Sequence, residues 1–118
     1  MSDSILRIKS KEFAKNIIFL CRKFKQSGVE SALVNQLLRC GTSVGANVHE
    51  AQYAQGTKDF ISKFEIALKE ASETGYWLEL LYRTKYIDEQ TFKALSSKCT
   101  SLRVMLIASC KTAKENAK

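Results

Sequence analysis

The chain has 118 residues, is 45% hydrophobic and carries a formal net charge of +7, so we predict a single domain over residues 1–118 with its own core. Proline is absent and only five residues are glycine, which argues against a sheet rich in tight turns and favours long helices. The longest apolar runs, residues 17–21 and 104–108, are far shorter than the roughly 20 residues of a membrane-spanning helix.

The first helical pattern covers residues 4–27, where apolar residues recur at heptad-like spacing. Gly28 follows it and is placed for the left-handed turn that ends many helices. The second pattern covers residues 31–55, with Ser31 as a candidate N-cap and Gly56 as its stop. One face of this second helix is predicted to lie in the core. It consists of Leu37, Gly41, Val44, Val48 and Ala51.

A second stripe runs beside that core face and is made mostly of uncharged amides and a hydroxyl. Its members are Gln36, Arg39, Ser43, Asn47 and Glu50. A solvated helix face is usually built from Lys and Glu, whereas neutral polar groups suit a hydrogen-bonded contact. We therefore predict that this polar stripe contacts another helix or another subunit.

The third helix is predicted over residues 57–84, with a carboxylate, Asp59, in its first turn near the positive end of the helix. Opposite charges stand four residues apart on its solvent side, which is the spacing of weak surface ion pairs. These pairs are Asp59 with Lys63, Glu65 with Lys69, and Glu79 with Arg83.

The fourth helix has the clearest start in the sequence. Asp88 is predicted as its N-cap, and Ile87 and Phe92 have the spacing of a hydrophobic staple. Because the connections near Gly28, Gly56 and Lys85 are short, successive helices must fold back on each other. The predicted fold is all-α, an up-down-up-down antiparallel four-helix bundle.

Residues 17–21 and 104–108 are apolar on every side of their helices, which is typical of helices that are buried all round. A lone bundle buries only one stripe of each helix. The surplus predicts self-association into a homo-oligomer. The alternative is a monomer in which long Lys and Arg side chains cover the excess.

The four cysteines, Cys21, Cys40, Cys99 and Cys110, contain no CxxC pair, and His49 is the sole histidine. We therefore predict reduced, buried thiols, no metal site and no cofactor. The N-terminus has no apolar signal segment, so a cytoplasmic location without membrane attachment is expected.

Catalytic constellations are not apparent either. No base is placed against a nucleophile, and the segment GTSVG lacks the lysine of a phosphate-binding loop. Asn47 and Glu50 share a helix face that could coordinate a ligand, but a hydrogen-bonded interface is the simpler interpretation. We predict that the protein is not an enzyme.

Two blocks within residues 36–83 resemble one known family. The first lies in the second helix and consists of Leu38, Arg39, Gly41, Thr42, Ser43, Val44, Gly45, Ala46, Asn47, Val48, Glu50 and Ala51. The second lies in the third helix and consists of Asp59, Phe60, Ile61, Lys63, Ile66, Ala67, Lys69, Glu70, Ala71, Glu73, Thr74, Tyr76, Trp77 and Leu78. Both resemble the four helix bundle proteins, also called 23S rRNA intervening-sequence proteins, which are small bacterial chains. Cys40 departs from the serine of the family pattern, and His49 lies at a variable position.

This resemblance implies a homopentamer shaped like a short barrel with a central channel. It also implies kinship with the accessory variability proteins of diversity-generating retroelements, which are basic pentamers that bind RNA and a reverse transcriptase. RNA binding by this chain is thus a hypothesis that the resemblance brings, and a reverse-transcriptase partner has no counterpart in the sequence.

The positive charge is concentrated in the first and fourth helices, which are antiparallel neighbours in the predicted bundle. The first carries seven basic residues and a single acid, Glu12. The predicted phosphate-binding patch at one end consists of Arg7, Lys9, Lys11, Arg103, Lys111 and Lys114. Lysine predominates, which favours contact with a phosphate backbone over reading of bases. A basic face that only keeps the protein soluble is the alternative.

Aromatic residues provide a weaker indication of nucleic-acid binding. Rings of this kind stack on bases, but at helical spacing they belong more often to a core or an interface. They are Tyr53, Tyr76, Trp77, Tyr82 and Tyr86. The leading hypothesis is therefore a non-enzymatic homopentamer that binds RNA or other nucleic acid. The alternatives are an assembly or partner-binding scaffold without a nucleic-acid role, and a small-molecule pocket in the oligomer channel.

Overall fold

The computed structural model describes residues 2–117, which form four α-helices and no strand. They are α1 (Ser2–Ser27), α2 (Ser31–Ala51), α3 (Thr57–Arg83) and α4 (Glu89–Asn116). Each helix packs on the next one along the chain, and α4 closes against α1 through a smaller contact. The all-helical prediction is confirmed, and the packing fits an up-down-up-down bundle about 50 Å long. Within these residues no helix combines the length and the apolarity needed to cross a bilayer.

The turn between α1 and α2 confirms one prediction and corrects another. Gly28 has a φ of 78°, the left-handed conformation that glycine adopts without steric cost. The N-cap of α2 is Glu30 rather than Ser31, and no side chain caps the helix. The first main-chain amides of α2 therefore do not depend on a serine hydroxyl.

The predicted end of the second helix is wrong by four residues, since α2 ends at Ala51 and not at residue 55. Beyond it the chain makes tight turns: the amide of Tyr53 bonds to the carbonyl of Glu50 at 3.0 Å, and that of Ala54 to Ala51 at 3.2 Å. These bonds to the third preceding residue tighten the last turn and interrupt the α-helical pattern. Gly56 is the N-cap of α3 rather than the stop of α2.

The start of α4 confirms the predicted cap. The carboxylate of Asp88 accepts a hydrogen bond from the main-chain amide of Thr91 at 2.7 Å. Ile87 is buried, and Phe92 packs against the core from the first turn of the helix. Both residues of the predicted staple thus lie at the apolar side of this helix end.

The core confirms the predicted face of α2, since Leu37, Gly41, Val44, Val48 and Ala51 are all buried. The two glycines of α2 permit a close approach to α1. A Cβ atom on Gly45 would lie only 3.1 Å from the main-chain oxygen of Ser10. At Gly45, α2 therefore lies against the backbone of α1 with no side chain between them.

Two of the three ion pairs predicted within α3 do not form. Glu79 and Arg83 pair at 2.9 Å as expected. Lys63 instead pairs with Glu50 of α2 at 3.1 Å, and Glu65 pairs with Lys114 of α4 at 2.9 Å. Acids and bases on neighbouring helices lie within reach across the grooves, so these side chains connect helices rather than successive turns of one helix.

Candidate nucleic-acid and subunit surfaces

The six basic residues predicted to bind phosphate do not share one set of surroundings. The guanidinium of Arg7 donates hydrogen bonds to Gln52, which follows the end of α2, and to Ser4, the latter at 3.1 Å. Lys114 pairs with Glu65 of α3, and this carboxylate raises the pKa of the Lys114 ammonium. Arg7 on α1 thus points towards the end of α2, whereas Lys114 on α4 points towards α3. The two side chains therefore do not lie on the surface that α1 and α4 share.

The other four members of the predicted patch are Lys9, Lys11, Arg103 and Lys111. All four are exposed, and none forms an ion pair with another residue of the described chain. No carboxylate of the described residues thus neutralises these four charges. They are therefore the cations of the patch that remain available for an external anion.

A groove of about 890 Å³ runs between α1 and α2, and it brings Arg7 and Lys11 together. Its wall on α2 includes Gly45, which packs closely against α1, and Ala46, whose side chain is short. Tyr53 stands at one end and is 73% exposed. No residue of α4 lines this groove, so the structure does not join the predicted residues of α1 and α4 in it.

Sequence reasoning missed this groove. In the structure Gly45 is a point of close packing between α1 and α2. The groove arises because the neighbouring Ala46 also lacks a long side chain, while Tyr53 follows just after α2 ends. Two consecutive small residues shortly before an exposed aromatic residue are the signal that could have indicated it.

The polar stripe of α2 is engaged within the chain. Arg39 forms ion pairs with Glu70, at 2.8 Å, and with Glu73, both on α3. Its guanidinium lowers the pKa of the Glu73 carboxyl, and the indole of Trp77 adds a hydrogen bond at 3.0 Å. Gln36 accepts hydrogen bonds from Arg39.

The remaining members of the stripe bond locally or to α3. Ser43 donates to the carbonyl of Arg39 at 2.6 Å, Asn47 donates to the carbonyl of Ser43 at 2.9 Å, and Glu50 holds Lys63. The stripe therefore does contact another helix, α3 of the same chain. Its role between subunits stays a prediction.

The most exposed aliphatic side chains lie on α1 and α4, and Ile66 on α3 is exposed to a lesser degree. Ile8 is 70% exposed, Val104 61% and Ile107 52%, and Phe19 is exposed to a similar degree. Phe19 and Val104 belong to the two apolar runs, residues 17–21 and 104–108, that the sequence predicts to be buried on every side. The chain alone does not bury them.

The four cysteines are free and buried. Burial raises the pKa of the Cys21 thiol to about 11, and it does the same for Cys99, whose Sγ contacts the carbonyl of Ala71 at 3.1 Å. Within the described residues no three His, Cys, Asp or Glu side chains group closely enough to hold a metal ion. The candidate ligand pair is also engaged elsewhere, since Asn47 bonds to its own helix and Glu50 to Lys63.

Comparison with known proteins identifies the family. The sequence pattern of the 23S rRNA-intervening sequence proteins matches residues 2–108. A solved structure, that of a protein with unknown function from the S23 ribosomal protein family of Bacteroides thetaiotaomicron VPI-5482, is 44% identical and superposes with a TM-score of 0.91. The match covers 94% of this chain and 99% of that one. No curated protein is significantly similar to the chain. Because the pattern matches most of its length, the chain belongs to the 23S rRNA-intervening sequence protein family.

Proposed function

We propose that this chain is a non-enzymatic, self-assembling helical protein that binds RNA or other nucleic acid through basic surfaces of α1 and α4. The observation that carries the proposal is the set of exposed cations without an ion pair in the described chain, Lys9, Lys11, Arg103 and Lys111. The name of the family refers to an intervening sequence of 23S rRNA. A basic protein of such a family has RNA as its natural candidate ligand.

The distribution of ion pairs supports this location. On α2 and α3, Arg39, Lys63 and Arg83 are each paired with a carboxylate, and although Lys58 and Lys69 are unpaired in the part of the chain that the structure describes, α3 carries more acids than bases. Among the described residues of α1, only Lys15 has such a pair, with Glu12 at 3.2 Å. The positive potential is therefore concentrated on the first helix and on the unpaired cations of the fourth. A phosphate backbone responds to this kind of charge without needing base contacts.

Self-association is supported by the apolar side chains exposed on the same two helices, Ile8, Phe19, Val104 and Ile107. Burial of such residues between copies removes apolar surface from water. Following the resemblance to the accessory variability proteins, we propose five subunits around a channel. Several copies of a weak phosphate-binding surface would act together on one RNA and raise the overall affinity.

The test of nucleic-acid binding is a gel-shift titration with a structured RNA at increasing salt. We expect binding at low salt that falls steeply as salt rises, because phosphate contacts release counterions. The variant Lys9→Gln/Lys111→Gln should bind more weakly. It should also flatten the dependence of log K on log salt by about 0.7 to 0.9 for each phosphate that the missing lysines would have neutralised.

The matched control is Lys58→Gln/Lys69→Gln, which removes the same charge from exposed positions on α3. Equal weakening by both double variants would show that only total charge matters. Absence of binding by the wild type at low salt would contradict the proposal.

A scaffold without a nucleic-acid role is the second candidate, and the exposed apolar surface favours it. Light scattering measures the mass on which both candidates depend. We expect Val104→Glu/Ile107→Glu to reduce the mass of the oligomer, since each substitution places a charge in an apolar contact. Ser43→Glu tests the polar stripe in the same way. A wild-type protein that is monomeric at micromolar concentration would exclude the assembly.

A further inference from the structure

We propose that the groove between α1 and α2 binds an unpaired, single-stranded segment of the nucleic acid, with Arg7 and Lys11 on its phosphates and one base stacked on Tyr53. This inference rests on the proposed function. It adds the strand state of the ligand and a binding site apart from α4. It also gives a role to an aromatic residue that the basic patch does not use.

The shape of the groove suits a nucleotide. Its volume of about 890 Å³ lies in the range of roughly 300 to 1,000 Å³ that is common for small-molecule sites. The short side chain of Ala46 contributes to its wall on α2, and Ile8 adds an apolar side chain from α1. Bases inside a duplex are already stacked and paired, whereas an unpaired base can turn out into such a groove.

The charge of the groove is positive once its ion pairs are taken into account. Two acids line it, Glu12 and Glu50. Lys15 neutralises the first at 3.2 Å and Lys63 the second at 3.1 Å, and neither lysine lines the groove. Arg7 and Lys11 have no carboxylate partner among the described residues. Two cations thus remain for consecutive phosphates.

Arg7 is held in place without losing its charge. Gln52 and Ser4 accept its hydrogen bonds, and both acceptors are neutral. A guanidinium positioned in this way loses less side-chain entropy when it binds a phosphate than a freely rotating one. Gln52 also lines the groove, so this contact fixes Arg7 in the groove that Tyr53 lines.

Tyr53 is the most exposed of the four tyrosines, and Tyr76, which also makes only an edge contact with another ring, does not line the groove. Tyr82 stacks on Phe92 with an angle of 6° between the rings, and the hydroxyl of Tyr86 donates to Glu30. Tyr53 is 73% exposed and meets only the edge of His49, with ring centroids 5.6 Å apart. A free aromatic face beside two cations is the arrangement on which single-stranded nucleic acids stack.

The test is fluorescence anisotropy with a labelled single-stranded RNA oligonucleotide at low salt. We expect Tyr53→Ala to weaken binding by about 5- to 150-fold, the range for the loss of one stacked base. Tyr53→Phe keeps the ring and should retain the wild-type affinity. Tyr76→Ala removes an exposed tyrosine of α3 that does not line the groove, and it should also retain that affinity.

The outcomes separate this inference from the proposed function. If the wild type binds RNA and Lys9→Gln/Lys111→Gln weakens it while Tyr53→Ala does not, the groove assignment is overturned and the proposed function stands. If the wild type binds no RNA, both fail. In competition, an unlabelled single strand should displace the probe at lower concentration than a fully paired duplex of the same length. Equal competition would also overturn the assignment, because the groove could not then be reading an unpaired base.

Discussion

Gly41 of α2 lies directly against the buried side chain of Ile17 in α1, where an added Cβ atom would be 2.9 Å from both Cγ1 and Cγ2. Ile17 is β-branched and fully buried, so it has little freedom to move away. We expect Gly41→Ala to destabilise the protein, because overpacking costs about 1 to 3 kcal/mol and the gain in helix propensity is about 1 kcal/mol. Urea unfolding measures the difference.

The control is Gly75→Ala on α3, where the nearest atom to an added Cβ is the Sγ of Cys99 at an ordinary 3.9 Å. That substitution should stabilise the protein by about 0.5 to 1 kcal/mol, since alanine restricts the unfolded chain. If Gly41→Ala were as stable as Gly75→Ala, the close contact between α1 and α2 would not exist in solution.

Asn16 of α1 has a buried Nδ2 atom with no hydrogen-bond partner among the described residues. A buried polar group without a partner costs about 1 to 3 kcal/mol. We expect Asn16→Leu to raise the melting temperature, whereas the exposed Asn35→Leu on α2 should change the free energy of unfolding by no more than about 0.5 kcal/mol. A loss of stability in Asn16→Leu would mean that the amide has a partner in the assembled protein.

The buried thiols should resist alkylation while the protein is folded. Cys21 and Cys99 have a pKa of about 11, so only about one molecule in a thousand carries either thiol as the reactive thiolate at pH 8. Both side chains are also buried from solvent. We expect mass spectrometry after iodoacetamide treatment to find no adduct on these two residues in the native state. All four cysteines should be labelled in urea. Rapid native labelling of Cys99 would show that α3 and α4 separate readily.

Acid should destabilise the fold through two carboxylates. Hydrogen bonds from Thr91 lower the pKa of the Asp88 carboxyl, and Arg39 lowers that of Glu73. Each ionised group therefore contributes stability above the pKa of the unfolded chain, and that stability is lost as the pH falls through the lower folded-state pKa. The urea midpoint should decline below about pH 4.

Two variants separate the contributions of Asp88 and Glu73 to the loss of stability in acid. Asp88→Ser retains a capping oxygen but cannot titrate in this range, so its decline in acid should be shallower than that of the wild type. Glu73→Gln should have the same effect through the contact with Arg39. If both variants follow the wild-type curve, other carboxylates cause the loss of stability in acid.

Much of the fold could be predicted because helical periodicity is a local property of the sequence. The core face of α2, the left-handed Gly28 and the Asp88 cap each depend on residues close together in the chain, and all three are confirmed. The end of α2 was wrong for a related reason. Polar residues continue the pattern to Gln55, but main-chain bonds such as that from Tyr53 to Glu50 already form tight turns.

The surfaces were harder to predict because their partners come from other helices. Spacing within α3 paired Glu65 with Lys69, whereas the nearby ammonium is that of Lys114 on α4. Likewise the number of basic residues gave no indication that Arg7 would face α2 or that Lys11 would share a groove with Tyr53. Such contacts depend on helix rotation, which periodicity sets only within a few tens of degrees.

The packing of each helix on its successor determines how quickly this protein reaches its native state. The contacts that join α1 to α2, α2 to α3 and α3 to α4 cross only short turns. Among the described residues, the packing of α1 on α4 is the one contact between helices that are not consecutive, and it is the smallest. Helical proteins with such local contacts fold in microseconds to milliseconds. Productive association of two protein chains at micromolar concentration typically takes about 0.1 to 10 s. In the assembly proposed above, copies would therefore associate through finished surfaces, and association would not guide the folding of the chain.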